Sequence, residues 1–299
     1  MKDATQKKGY LQVFLAGILW GTIGLFVTDM SHNGASSALT SFLRIFFAFL
    51  ILLVITVFKF GWKSLIIPKR DLLSCALLGL ICQGIYNIFY SYAVVMTGVT
   101  ISAVLLNVAP VFTALVSYVL FSEKITWIKR TALVINVIGC SLAATSGHIS
   151  SGAVSLIGIL FGVAAGFCYS LTAIIGRIAG SKINAFVVST YSYFFAAVFL
   201  AVFMKPWNMS FYIEKEVWII GFLYALIPTA IGYLLYYMGV QKIRESSKVP
   251  VIASVETVVA AVLGMLVYQE QIRGMNFLGI LLVMGSVVLM NQPLKKDIW

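Results

Sequence analysis

Val104-Leu-Leu-Asn-Val-Ala-Pro-Val-Phe-Thr-Ala-Leu-Val-Ser-Tyr-Val-Leu-Phe-Ser-Glu123 has a second version further along the chain, Val251-Ile-Ala-Ser-Val-Glu-Thr-Val-Val-Ala-Ala-Val-Leu-Gly-Met-Leu-Val-Tyr-Gln-Glu270. Each is an apolar run closed by an aromatic residue, a polar residue and a glutamate. An odd number of apolar runs separates them, so two membrane helices of these sequences cross in opposite directions. An inverted pair is a device for building two related gates around one buried site, and it points to transport.

Working outward, the chain carries ten runs long enough to cross a hydrocarbon core, which takes about 20 apolar residues. They cover 10–28, 36–58, 72–95, 99–121, 127–146, 153–175, 183–204, 217–238, 248–268 and 274–291. Of the 299 residues, 61% are hydrophobic and only 10% charged, against about a quarter charged in soluble domains. Too few polar residues remain to cover a globular surface. The first run follows Lys2, Lys7 and Lys8, as a signal peptide would, but it is too long for one and no clear cleavage site follows.

The net charge of +11 does not form a basic stripe, so nucleic acid is not a partner; the charge reads as membrane orientation. With the N-terminus inside, seventeen lysines and arginines fall in cytoplasmic segments. Only Lys205, Lys215 and Arg273 fall outside, and Arg44 lies within a run. This asymmetry predicts a multi-pass cell-membrane protein with both termini cytoplasmic. Trp62, Trp127, Trp207 and Trp218 sit near run ends, as interfacial anchors do, whereas Trp20 lies deep.

The likeness extends beyond the opening pair. At an offset of about 147 residues Gly17–Gly21 aligns with Gly166–Ser170, Arg44–Ala48 with Ser192–Ala196, and Tyr90–Ala93 with Tyr236–Gly239. The expected fold is therefore an all-α membrane protein of ten helices in two inverted five-helix repeats, 1–147 and 148–299. Small residues recur at helical spacing in helix four (Ala109, Thr113, Ser117), helix six (Gly158, Gly162, Gly166, Ser170) and helix nine (Glu256, Ala260, Gly264), where they let backbones approach. Pro110, Pro228 and Pro250 each remove a helical hydrogen bond and permit a kink.

These residues reach a family. The chain resembles the EamA type of the drug/metabolite transporter superfamily over its full length. The resemblance rests on ten spans in two halves, on Phe42-Leu-Arg-Ile-Phe-Phe-Ala-Phe in helix two and on the glutamate-terminated helices. Ser254-Val-Glu-Thr-Val-Val-Ala-Ala is similar to the family's Leu-Glu-Pro-Val-x-Ala-Ala pattern, with Thr257 in place of the proline. The resemblance implies a carrier of small metabolites working without ATP, many relatives being amino-acid or drug exporters, and it supports Trp20, Tyr86, Asn87 and Tyr169 as cavity residues. A multidrug or cationic-amine exporter of the same fold is the alternative, and a passive channel-like facilitator a further one.

Two charges lie deep in the runs, Arg44 and Glu256. Such a charge costs at least about 2.5 kcal/mol, so each needs a partner or water. Three readings stand: Arg44 and Glu256 pair as a structural or coupling ion pair, Arg44 snorkels outward in a structural role, or Glu256 faces a cavity and takes a substrate amine or a proton. Trp20, Tyr86, Asn87, Tyr90, Asn107, Tyr169 and Tyr191 are polar or aromatic at similar depth and mark a mid-depth substrate cavity. Glu123 and Glu270 are expected to fix helix ends, Glu123 in a solvated charge cluster with Lys124, Lys129 and Arg130.

Enzyme chemistry has little to work with. No aspartate lies in the assigned runs, and no H-E-x-x-H, G-x-S-x-G or ATP-binding G-x-x-x-x-G-K-[ST] occurs. The cysteines (Cys75, Cys82, Cys140, Cys168) form no C-x-x-C, His32 and His148 lie apart, and no metal or cofactor is implied. The expected partners are the lipid bilayer and a small solute, the energy source being a proton, a counter-substrate or simply the solute gradient, with one chain as the working unit.

Overall fold

The computed structural model describes residues 2–97, 99–145, 155–180, 183–205, 215–268 and 274–291. Ten helices follow one another among the described residues: α1 (Thr5–His32), α2 (Ser37–Phe60), α3 (Lys69–Thr97), α4 (Ile101–Phe121), α5 (Trp127–Thr145), α6 (Leu156–Gly180), α7 (Ala185–Met204), α8 (Lys215–Val240), α9 (Ser246–Val267) and α10 (Gly274–Asn291); all but α5 and α10 are long and apolar enough to cross a membrane, and α10 is a shorter apolar helix. Helix is the spanning form because every backbone N–H and C=O must be satisfied inside the segment.

Several helices run past the apolar runs read from sequence, since a helix continues into the headgroup layer while its hydrophobicity stops. This brings Asp29 and Asp71 into terminal turns, where no span aspartate was expected; Asp29 is exposed and Asp71 buried. Local chemistry sets the ends. The Ser36 hydroxyl accepts from the Leu39 N–H to start α2, and Asn184 accepts from the Phe186 N–H to start α7. Gly61, at φ 75°, ends α2 in a backbone conformation that favours glycine.

The principal helix contacts run between the halves, and they come in matched sets. α1 packs on α8 and α9; its counterpart α6 packs on α3 and α4. α2 packs on α7, and α5 on α10. Small residues make these approaches possible. A Cβ on Gly158 would lie 2.5 Å from Thr97, and one on Gly162 2.5 Å from Leu105, so the small face of α6 seats α3 and α4 as the spacing predicts. The α4 stripe is buried, but Ala260 of α9 is exposed, so the α9 stripe does not pack along its length. The lipid-facing surface is apolar, with Phe58, Val95 and Val119 among its most exposed residues; Trp62 and Trp127 stand exposed at helix ends, as interfacial rings do. Trp207 and His148 lie outside the described residues.

Two pairs of irregularities matter for function. α4 is broken between Val99–Leu106 and Ala109–Phe121, and α9 between Val249–Ala253 and Val255–Tyr268. Asn107 and Ser254 occupy the breaks, at the offset that relates the repeats. α3 contains a π-helical segment, Leu80–Ile85, and α8 another, Ala225–Ile231. In α8 Pro228 removes an N–H, and the Thr229 hydroxyl donates to the Tyr224 carbonyl at 2.9 Å. In α3, which has no proline there, the Asn87 amide donates to the Gln83 carbonyl.

Candidate functional site: a pocket at the facing helix breaks

The breaks in α4 and α9 line a common pocket. Asn107 and Pro110 come from α4, Ser254 and Glu256 from α9, Asn136 from α5 and Tyr169 from α6. The space is narrow, 10 Å³, which is about one water. Broken helices expose backbone groups and helix ends at membrane depth, tolerated only where they face protein or a cavity. Glu256 sits in the first turn of its helical segment, where the positive end of the helix dipole favours an anion. It is partly exposed, and among the described residues its carboxylate receives no hydrogen bond or ion pair.

The α9 break is held from α5. The Asn136 amide donates to Ser254 Oγ at 2.7 Å and to Ser286 Oγ of α10 at 3.0 Å, and its own Oδ1 is buried without a partner. Ser254 Oγ donates in turn to the Val251 carbonyl at 2.6 Å, which satisfies backbone freed by the break. Asn136 went unremarked in the sequence, although a lone amide in an apolar run is the signal that marked Asn87 and Asn107.

An aromatic layer continues from this pocket. Tyr169 lies 5.6 Å from Tyr86, centroid to centroid, and Tyr86 lies 5.9 Å from Tyr90. Trp20 contacts Tyr169 at 6.4 Å, Tyr233 at 4.6 Å and Tyr236 at 4.9 Å. Trp20, Tyr86, Tyr90 and Tyr169 are thus brought together, joined by Tyr233 and Tyr236, which sequence reading did not select. Tyr191 is elsewhere: its hydroxyl donates to the Leu65 carbonyl at 2.6 Å and its ring stacks near Phe195.

Arg44 does not pair with Glu256. Its guanidinium donates to Asn87 Oδ1 at 3.3 Å and lies 5.4 Å from the centroid of Tyr224. The helices explain the separation. α2 packs against α7 and α8, whereas Glu256 faces α4, α5 and α6 from α9.

A second polar cluster closes one end of the bundle, where α4 and α6 end and α9 begins. Glu123 is buried and accepts from Arg177 Nη1 at 2.6 Å, the Ser246 N–H at 2.7 Å, the Ser247 N–H at 3.3 Å and the Ser247 hydroxyl at 2.8 Å. A carboxylate on the N-terminal amides of a helix is favourable electrostatically. The expected solvated cluster with neighbouring lysines is therefore replaced by a buried contact reaching across the halves, just after the left-handed turn at Ser122 (φ 53°). Lys129 instead pairs with Glu245 at 2.6 Å, and Lys248 approaches the same carboxylate at 3.5 Å. Burial alone would raise the Glu245 carboxyl, but the Lys129 hydrogen bond and the Lys248 charge hold it below the usual glutamate range. Glu270 lies outside the described residues.

A ten-helix membrane protein with a polar pocket at helix breaks fits a multi-pass membrane transporter, and comparison with known proteins points the same way. The chain belongs to the EamA-like transporter family, whose model matches it twice, over residues 7–145 and 156–292. It is 25% identical to an uncharacterized transporter of Archaeoglobus fulgidus over 94% of this chain and 95% of that one. It is also 25% identical to an uncharacterized transporter of Clostridium kluyveri, over 94% and 93%. The uncharacterized inner membrane transporter YicL of Salmonella typhimurium is 23% identical over 97% of both chains. A protein crystal structure, 16% identical, shares the fold with a TM-score of 0.81, covering 95% of this chain and 97% of that one.

Proposed function

We propose that the protein is a secondary carrier that moves a small amphipathic metabolite, an amino acid or a close relative, by alternating access. The observation that carries this reading is the Glu256 carboxylate, placed at facing helix breaks with no donor among the described residues. An acid at membrane depth without a partner is costly, and a solute ammonium or a proton would relieve that cost. Asn107, Asn136 and Tyr169 would orient the solute, and the aromatic layer from Trp20 to Tyr90 would cover its apolar part.

Matched contacts, matched breaks and matched π segments support two halves of opposite orientation rocking about this pocket. The asymmetry of basic residues supports a cytoplasmic position for both termini and for the Glu123 cluster, which would then serve as the closed inner gate. Export is the direction the family resemblance implies, a proton is the coupling ion that Glu256 could carry, and one chain suffices because the pocket lies inside it.

Flux into proteoliposomes tests the mechanism. Labelled amino acids should enter with saturable kinetics, and unlabelled solute on the far side should accelerate exchange. Linear flux without trans-stimulation would mean a channel-like facilitator. A cationic-amine exporter would instead prefer solutes lacking a carboxylate.

A further inference from the structure

We infer that Arg44 is the receptor for a carboxylate on the transported solute, so that the solute carries an anionic group as well as an amine. The inference rests on the carrier reading above and assigns a second charged contact to the same interior.

Arg44 is 6% exposed, and among the described residues no carboxylate lies within ion-pair distance of it. One amide oxygen at 3.3 Å and one aromatic ring do not neutralise a guanidinium at membrane depth. Both contacts, the Asn87 amide and Tyr224, are uncharged groups. A single cation with no second one beside it matches a monoanion, and the guanidinium fork matches a carboxylate.

Two independent features point to an absent ligand. Among the described residues the Tyr193 hydroxyl is fully buried with no hydrogen-bond partner, as is Trp20 Nε1, the two rings meeting at Tyr233 in the aromatic layer. Buried polar atoms are almost always paired, so unpaired ones in this layer ask for an occupant. Both π segments also deliver the contacts of Arg44. Leu80–Ile85 stops just before Asn87, and Ala225–Ile231 starts just after Tyr224. Such segments recur at functional sites, where they re-aim side chains at some cost in helix stability.

Tyr86 packs on Tyr169, which lines the Glu256 pocket, and the next residue of α3, Asn87, holds Arg44, so the aromatic layer runs between the two charges. A solute offering an ammonium to one and a carboxylate to the other would meet its apolar complement in that layer.

The test uses the full-length protein purified in detergent, with the twenty L-amino acids and their decarboxylated amines as probes of thermal unfolding. At least one amino acid should stabilise the wild type and bind tenfold or more tightly than its own amine. Arg44→Gln should remove that preference and Arg44→Lys should keep part of it. Asn87→Asp keeps the test decisive if Arg44→Gln does not fold. It places a fixed carboxylate on Arg44, so it should raise the melting temperature without ligand and abolish the amino acid's advantage over the amine. Equal binding of acid and amine to the wild type, an undiminished preference in Asn87→Asp, or stabilisation by no amino acid would each overturn the inference. Loss of trans-stimulated exchange with the binding preference intact would overturn the carrier reading and leave the Arg44 contact standing.

Discussion

The two related helices α4 and α9 each carry a glutamate in a place where water is scarce, and their surroundings are opposite. Glu123, at the end of α4, is filled by four donors from α6 and the start of α9. Glu256, beside the break of α9, takes none from the described residues. A saturated buried carboxylate has no capacity left for a ligand and acts as a fastener. An unsaturated one costs free energy until something arrives, which is how a binding site differs from a structural contact. The comparison divides the molecule into a latched end and a receptive middle.

The largest effect on stability should come from undoing the latch. Glu123→Ala leaves Arg177 and two helix N–H groups without their acceptor, and should cost about 3 kcal/mol, read as a fall in melting temperature. A melting temperature unchanged from wild type would show that the latched end carries no load. Asn136→Ala probes the border between the regions. It removes the donor shared by Ser254 and Ser286 and should cost about 1 kcal/mol while weakening solute binding, because the α9 break is no longer fixed. A stability loss with unaltered affinity would separate Asn136 from the site.

Smallest is the pH response of the outer ring of the latch. Glu245 is held below its ordinary pKa, so its contribution is complete above the usual glutamate value and is lost as pH falls through the lowered one. Lys129→Met should move the onset of acid destabilisation to higher pH, at a cost under about 1 kcal/mol near neutrality, since Glu245 is partly exposed. Identical acid profiles for variant and wild type would contradict the assignment.

Much of the architecture was legible because the bilayer imposes a simple code: about 20 apolar residues per helix. The likeness of 104–123 to 251–270 led to the pocket itself, since Asn107 and Ser254 break their helices at matching positions. Pro228 announced an irregular α8. The π segment of α3 gave no such warning, because Leu80–Ile85 contains no proline and its carbonyl is satisfied by Asn87. Side-chain partnership was the least legible. Tyr191 reads like Tyr169 in sequence, yet it turns to the Leu65 carbonyl, a choice made by the fold of a distant loop. Arg44 and Glu256 invited pairing as the two deep charges, and only the packing of α2 away from α9 shows that they stand apart. Glu123 reached Arg177 and Ser246 rather than its sequence neighbours for the same reason.

The receptive middle is tested most directly by Glu256→Gln reconstituted beside wild type at equal protein density, with exchange of the stabilising amino acid as readout. The account predicts trans-stimulated exchange in the wild type and its loss by at least about tenfold in the variant. The melting temperature should be equal or higher, because an unpaired charge at membrane depth has been removed. Undiminished exchange in a well-folded Glu256→Gln protein would contradict it.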